Sequence, residues 1–242
     1  MNLLFSTNAP LEDKHHASAV LNHQGFSYYV FTPQKTLMYH LKSQKWSSEP
    51  SNLNFIMMGY DTVNQHQCYF FGGYNPSSGA VSSKLLKYDS YQGSLEPVSY
   101  SPSQAPAPRL SCSLTFVPPS DGSHPGSLYV FGGMDAHQNT LNDLYRFDLY
   151  TKTWEIVKNK SDFSPRPRQG HTLLYWKRFN RPAHGPSYKH PQTSASHRPK
   201  TSSFLVLFGG FSGGKSGQLQ RLADVWLFDL GIFFKKYFIL FL

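Results

Sequence analysis

Phe204 to Gly217 reads FLVLFGGFSGGKSG. Within it Gly209 to Ser216, GGFSGGKS, satisfies the phosphate-binding pattern G-x-x-x-x-G-K-[ST], in which a glycine loop cradles phosphates and the lysine reaches them. That chemistry needs a strand, the loop, and then a helix whose N-terminus points backbone N–H groups at the anion. Here only Gly217 to Asp224 separates the loop from the next apolar run, VWLFD. Eight residues are too few for a crossover helix, which takes about a dozen or more. The stretch therefore reads as a glycine-rich hairpin loop, and Lys215 is expected to hold no nucleotide.

The surrounding sequence supports this reading, because the same punctuation recurs. CYFFGG (68–73), LYVFGG (128–133) and LVLFGG (205–210) end in the pairs Gly72-Gly73, Gly132-Gly133 and Gly209-Gly210. A polar loop follows each pair, then a run ending in aromatic-Asp: LLKYD (85–89), DLYRFD (143–148) and DVWLFD (224–229). Seven residues past the aromatic, Trp154 follows Phe147 and Leu95 follows Tyr88. A worn earlier copy comprises SYYVF (27–31), LMYH (37–40) and Trp46, again seven past Tyr39. A further apolar run precedes each unit: HASAVL (16–21), NFIMMG (54–59), SCSLTFV (111–117) and HTLLYW (171–176). Two of these are introduced by Pro-Arg signals, PAPRLS (106–111) and PRPRQGH (165–171). Fixed-period self-similarity of this kind indicates a repeat architecture.

Strand, strand ending in Gly-Gly, strand ending in aromatic-Asp, strand containing Trp: this unit resembles the kelch repeat family of β-propellers over residues 12–230. The resemblance implies an all-β fold of about four four-stranded blades around a channel. The expected divisions are 12–50, 51–100, 101–160 and 161–230, with 1–11 a leader or stray outer strand. The Gly pairs permit positive φ and close backbone approach at a crowded turn. Trp154 is expected to fill space between blades, and Trp46 holds the matching place in the first. Asp148 and Asp229 can bond their own backbone two residues on.

Antiparallel strands send the loops after the Gly pairs, Tyr74 to Lys84, Met134 to Asn142 and Phe211 to Ala223, to one face together with the connections between units. Divergent loops on a repeated frame suit partner binding, and in the family such loops commonly contact a protein. Tyr74, Met134, Phe211, Arg109, Arg166 and Arg168 are the candidate contacts. For the arginines two readings stand: a bidentate grip on a partner carboxylate, or bracing of the loops through carbonyls or an aspartate. Asp143 and Asp224 read as acceptors pinning loops rather than as catalytic acids.

The 242-residue chain carries a net charge of +9, but the excess is local. Residues 177–200, KRFNRPAHGPSYKHPQTSASHRPK, hold six of the 23 basic residues and no acid, leaving 17 against 14 acids elsewhere. Rich in Pro, Ser and His, this insert is expected to be disordered on the opposite face. An acidic partner is conceivable for it; nucleic acid is not expected, since Phe179 and Tyr188 make a thin stacking platform. His184, His190 and His197 lack the short spacing of usual zinc sites. Cys68 and Cys112 fit small core residues in a reducing compartment. No metal site, cofactor or catalytic residue is called for. With no signal peptide, the expected location is cytoplasmic, the nucleus also being allowed.

The pattern breaks at the end. Position 235, where the repeat asks for Trp, is Lys235, and residues 231–242 read GIFFKKYFILFL. Twelve residues interrupted by lysines are too short to span a bilayer, which needs about 20 apolar residues. Apart from glycine, every residue type here is encodable by A and T alone, so this apolar tail is expected to be aberrant, a translated intron or frameshift. Propellers have about four to eight blades, so the ring is expected to be incomplete and the protein truncated. The function expected is a noncatalytic protein-interaction module, an adaptor or scaffold. The alternative is a propeller enzyme, or the regulatory kelch region of a larger one.

Overall fold

The β-rich runs become strands, and several of the described turns between them are closed by local side-chain hydrogen bonds. A computed structural model describes residues 17–22, 26–32, 34–50, 59–75, 77–119, 124–158, 164–179, 201–213, 218–231 and 239–240. The first sheet is β1 (Ala17–Asn22), β2 (Phe26–Phe31), β3 (Lys35–His40) and β4 (Lys45–Pro50). The second is β5 (Gly59–Thr62), β6 (Gln67–Phe71), β7 (Leu85–Asp89) and β8 (Ser94–Pro97). The third has β9 (Arg109–Leu110), β10 (Ser113–Val117), β11 (Ser127–Asp135), β12 (Thr140–Asp148) and β13 (Thr153–Ile156). The fourth starts with β14 (Thr172–Phe179) and β15 (Thr201–Phe208). A short ribbon, β16 (Phe211–Ser212) and β17 (Gln220–Arg221), then precedes β18 (Val225–Asp229) and β19 (Ile239–Leu240). Within each sheet the main strands pair antiparallel in chain order. The protein is all-β, built of the four-stranded leaflets of a propeller.

Aspartates hold the turns after the third strands. Asp89 Oδ1 accepts from Tyr91 N at 3.0 Å, Asp148 Oδ1 from Tyr150 N at 2.9 Å, and Asp229 Oδ1 from Gly231 N at 2.8 Å. These are the side-chain turns that aspartate favours.

Strand alternation sends successive side chains to opposite sheet faces, and the cores lie where faces meet. Tyr29, Phe31 and Met38 of the first sheet pack with Cys68, Phe70 and Tyr88 of the second. Phe71 and Leu85 meet Leu128, Val130 and Phe147 of the third. Tyr129, Phe131 and Leu144 meet Leu205, Leu207 and Phe228 of the fourth. Among the described residues no core cluster joins the fourth sheet to the first. Trp154 fills the second junction with ring centroids 5.1 Å from Phe71 and 4.9 Å from Phe147. Trp46 instead lies half-buried against Tyr39, at 5.2 Å.

In the second sheet the described first strand is GYDT, Gly59 pairing with Phe71 as Ser113 pairs with Phe131, and among the described residues only Gly59 of the run NFIMMG belongs to it. Residues 51–58 lie outside the described residues, as do 1–16 and 180–200, which include most of the basic insert. At the tail, Val225 pairs with Leu240 and Trp226 with Ile239. Ile and Leu in a chain rich in β-formers suit an edge strand beside β18.

Candidate interaction face

The loops after the glycine pairs are held by two buried arginines. Proline keeps the chain before each one extended. Arg109 N donates to Ser82 O at 3.0 Å, and its carbonyl accepts from Gly73 N at 3.1 Å, tying its backbone to the second sheet. Its side chain reaches forward into the third. Nη1 and Nη2 donate to the Asp143 carboxylate at 2.6 and 2.9 Å, Nη1 also to Gly132 O at 3.1 Å, and Nε to Ala107 O at 3.0 Å.

Arg168 repeats the arrangement one unit on. Its N–H donates to Leu141 O and its carbonyl accepts from Gly133 N, both at 2.9 Å. The guanidinium donates to Asp224 at 2.7 and 2.8 Å, to Gly209 O at 3.0 Å and to Arg166 O at 3.1 Å. Asp224 also accepts from Trp226 Nε1 at 2.6 Å. Hydrogen bonds from Arg168 hold the Asp224 carboxyl below the usual carboxylate value, against the opposing effect of burial.

The glycine pairs explain how the backbones come so close. A Cβ on Gly72 would collide with Arg109 O, and one on Gly132 would stand 2.7 Å from Arg168 O. Both residues have positive φ, 76° and 56°. Gly209, with φ 67°, has no such neighbour: its nearest contact would be Leu222 O at 3.5 Å.

Of the six predicted contact residues, two are inside the protein. Arg109 and Arg168 are 1% and 0% exposed, and their donors are spent on Asp143, Asp224 and carbonyls. A partner carboxylate cannot reach them, which corrects their assignment as contact residues. Tyr74 is half-buried and bridges to Val81, and Met134 pairs with Leu110 and Thr140. Phe211 is exposed and Arg166 donates from the surface to Gln220 Oε1 at 3.2 Å. These two sit at one corner, because Gln169 and Phe211 exchange backbone hydrogen bonds at 2.9 Å and latch the β16–β17 ribbon onto the Arg166–Arg168 segment. Leu219 on the same ribbon is exposed.

Sequence reading missed the cleft beside this corner. Asn142, Asp143, Ile156, Lys158, Ser164 and Pro165 line about 390 Å³ between the third and fourth sheets. Its only sequence signal is position, just past the Trp strand and before the Pro-Arg segment. Lys215 lies outside the described residues. The residues that follow it, 218–231, form β17 and β18 and contain no helix, so the helical half of a phosphate cradle is missing there.

A family model, the KLHDC2/KLHL20/DRC7 Kelch-repeats domain, matches residues 60–181, about half of the chain. The chain belongs to the kelch-repeat family. A 45-residue stretch is 47% identical to part of acyl-CoA-binding domain-containing protein 5 of Arabidopsis thaliana. Acyl-CoA-binding domain-containing protein 4 of the same plant is 44% identical over 45 residues. Each match covers 19% of this chain and 7% of the relative's own length.

Some other polar groups of the kelch sheets are buried, His171 and Ser113 among them. His171 Nε2 lies 2.9 Å from Ser113 Oγ, joining the innermost strands of the third and fourth kelch sheets. Burial, helped by Arg168, pushes its pKa down to about 4. Burial likewise pushes the Cys112 thiol up to about 12, which makes it a poor nucleophile. Among the described residues no helix is long and apolar enough to cross a membrane.

Proposed function

We propose that this chain is a noncatalytic adaptor or scaffold that takes a partner protein on its loop face, centred on the β16–β17 ribbon. In general terms kelch repeats are protein–protein interaction modules. The observation that carries the finer reading is the corner where Phe211 and Leu219 stand exposed beside Arg166. Beneath it, Arg168 and Asp224 hold the segment rigid. An aromatic anchor, here Phe211, beside an arginine on a rigid support is the kind of pair that dominates binding hot spots. The neighbouring cleft, with Ile156 and Lys158 in its wall, extends the surface. A partner segment presenting an apolar side chain next to a carboxylate would satisfy both features.

A photo-crosslinking residue placed at Phe211, compared with one at Tyr150, tests the proposal. Tyr150 is also exposed but sits in the turn after β12, at the other end of the strands. The expected result is a discrete adduct in cell extract from position 211 alone, lost on Arg166→Ala. Equal labelling from both positions, or an adduct indifferent to Arg166→Ala, overturns the loop-face assignment.

A further inference from the structure

The face of the third sheet that meets the fourth carries a polar row. Tyr129, Arg146 and Glu155 are register partners across β11, β12 and β13, so their side chains stand together on one face. Arg146 is fixed there by three acceptors: Nε donates to Ser127 Oγ at 3.0 Å, Nη1 to Glu155 Oε1 and Nη2 to Asp148 Oδ2, both at 2.9 Å.

This row lines a cleft of about 440 Å³ between the third and fourth sheets, at the end of the strands opposite the loop face. Pro118, Pro119 and Leu230 supply apolar wall, and Leu230 is fixed by its N–H, which donates to Ser203 O at 2.8 Å. Apolar walls with a few placed polar groups are the form of a small-ligand site. Tyr129 is only 6% exposed, yet its hydroxyl has no hydrogen-bond partner among the described residues. The charges of Arg146, Glu155 and Asp148 all act on that hydroxyl, which sets it beside them, and burial pushes its pKa up to about 12, so it stays neutral. Glu155 spends Oε1 on Arg146; its Oε2 has no partner among the described residues.

We propose that this cleft binds a primary alkylammonium group, the Glu155 carboxylate and the Tyr129 hydroxyl accepting its N–H groups while Pro118, Pro119 and Leu230 cover its methylene stem. The lining sets two carboxylates, Asp148 and Glu155, against one guanidinium, so local charge favours a cation over an anion. An ammonium brings donors and no acceptor, which matches an unpartnered carboxylate oxygen beside an unpartnered hydroxyl, and its stem packs along apolar surface. The chain as a whole carries +9, which repels a cation at long range. Recognition therefore rests on these few groups. The chemistry is that of a lysine side chain on a partner protein or of a free diamine.

An NMR titration of the 242-residue chain at low ionic strength with Nα-acetyl-lysine methylamide tests this. The expected result is a saturable shift of the amide signals of Tyr129, Arg146 and Glu155, with a dissociation constant of about 1 mM. The Nε-acetylated analogue, which keeps the stem and loses the charge, should give none. Glu155→Gln should weaken binding about fivefold, and so should Tyr129→Phe, which keeps the ring and removes only the hydroxyl. Cadaverine is the second probe. Tighter binding of the lysine derivative supports the site with a protein partner as source, and tighter binding of cadaverine supports it with a free diamine. Absence of saturation, equal shifts from the Nε-acetylated analogue, or binding indifferent to Glu155→Gln would each overturn the ammonium site.

Discussion

Arg168 and Asp224 meet side by side, two hydrogen bonds of 2.7 and 2.8 Å joining a fully buried guanidinium to a carboxylate just before β18 of the fourth sheet. The arginine's backbone belongs to the third sheet's hydrogen-bond network and its side chain to the fourth's, so one residue rivets two leaflets. Arg109 and Asp143 do the same one junction earlier.

Removing one member of a buried pair strands the other. Asp224→Ala is expected to destabilise the fold by about 3–5 kcal/mol, read as a shift in the urea midpoint. Arg168→Lys should recover little, because an ammonium cannot reproduce the fork that serves Asp224, Gly209 O and Arg166 O at once. A loss under about 1 kcal/mol in Asp224→Ala would mean that the pair is replaceable by water.

Acid should weaken the fold in two stages. His171, held to about 4 against an ordinary 6.5, stays neutral when folded while the unfolded chain takes up a proton. Stability therefore declines as pH drops from about 6.5 to about 4. Asp224 has a depressed pKa, so its contribution is complete above the unfolded value of 3.8 and is lost only as pH falls through the lower folded value. Urea titrations from pH 7 to 3 on the parent and on His171→Gln should separate the stages, the upper one flattening in the variant.

The glycines before the third strands should differ in tolerance. Gly132→Ala places a Cβ 2.7 Å from Arg168 O and should cost more than the roughly 1–2 kcal/mol of a left-handed residue alone. Gly209→Ala meets no backbone closer than 3.5 Å and should cost only that strain. Equal losses in thermal melts would contradict the close approach at Gly132.

Among the tryptophans, Trp154→Ala should destabilise by about 3–5 kcal/mol, the range for a large aromatic removed from a core. Trp46, packed on Tyr39 and partly exposed, should lose clearly less. Denaturant unfolding of the two variants side by side is the check.

Phe211→Ser and Arg166→Ala touch only surface contacts, so each should stay within about 0.5 kcal/mol of the parent in stability. Loss of the crosslinked adduct with an unchanged melt would locate binding at the ribbon; a lowered melt would instead give Phe211 a structural part.

The all-β repeat was legible because its signals are local. Glycine pairs mark backbone that must take positive φ, as Gly72, Gly132 and Gly209 do, and aspartates two residues before a backbone N–H mark turns, as Asp148 and Asp229 do. The nucleotide-loop match at Gly209 to Ser216 yielded to the same local logic, since the described residues that follow, 218–231, hold two strands and no helix. Register is less local: Gly59 pairs with Phe71 of β6, and register is a property of the pair. Ile239–Leu240 likewise pairs with β18, since an open sheet edge accepts backbone whatever its side chains.

What the sequence alone determined is thus the unit: four strands, where they turn, and which faces are apolar, all set by short-range backbone preference and period-two burial. Whether an arginine faces a partner or the interior lay beyond it. Arg109, Arg166 and Arg168 occur in nearly identical Pro-Arg surroundings, and only the fold brings Asp143 and Asp224, 34 and 56 residues away, to the first and last while leaving the middle one at the surface. The same holds for Phe71, Phe131 and Phe208, alike in sequence and unlike in exposure. Burial depends on what lies across the sheet, and no residue's own neighbours in the chain carry that information.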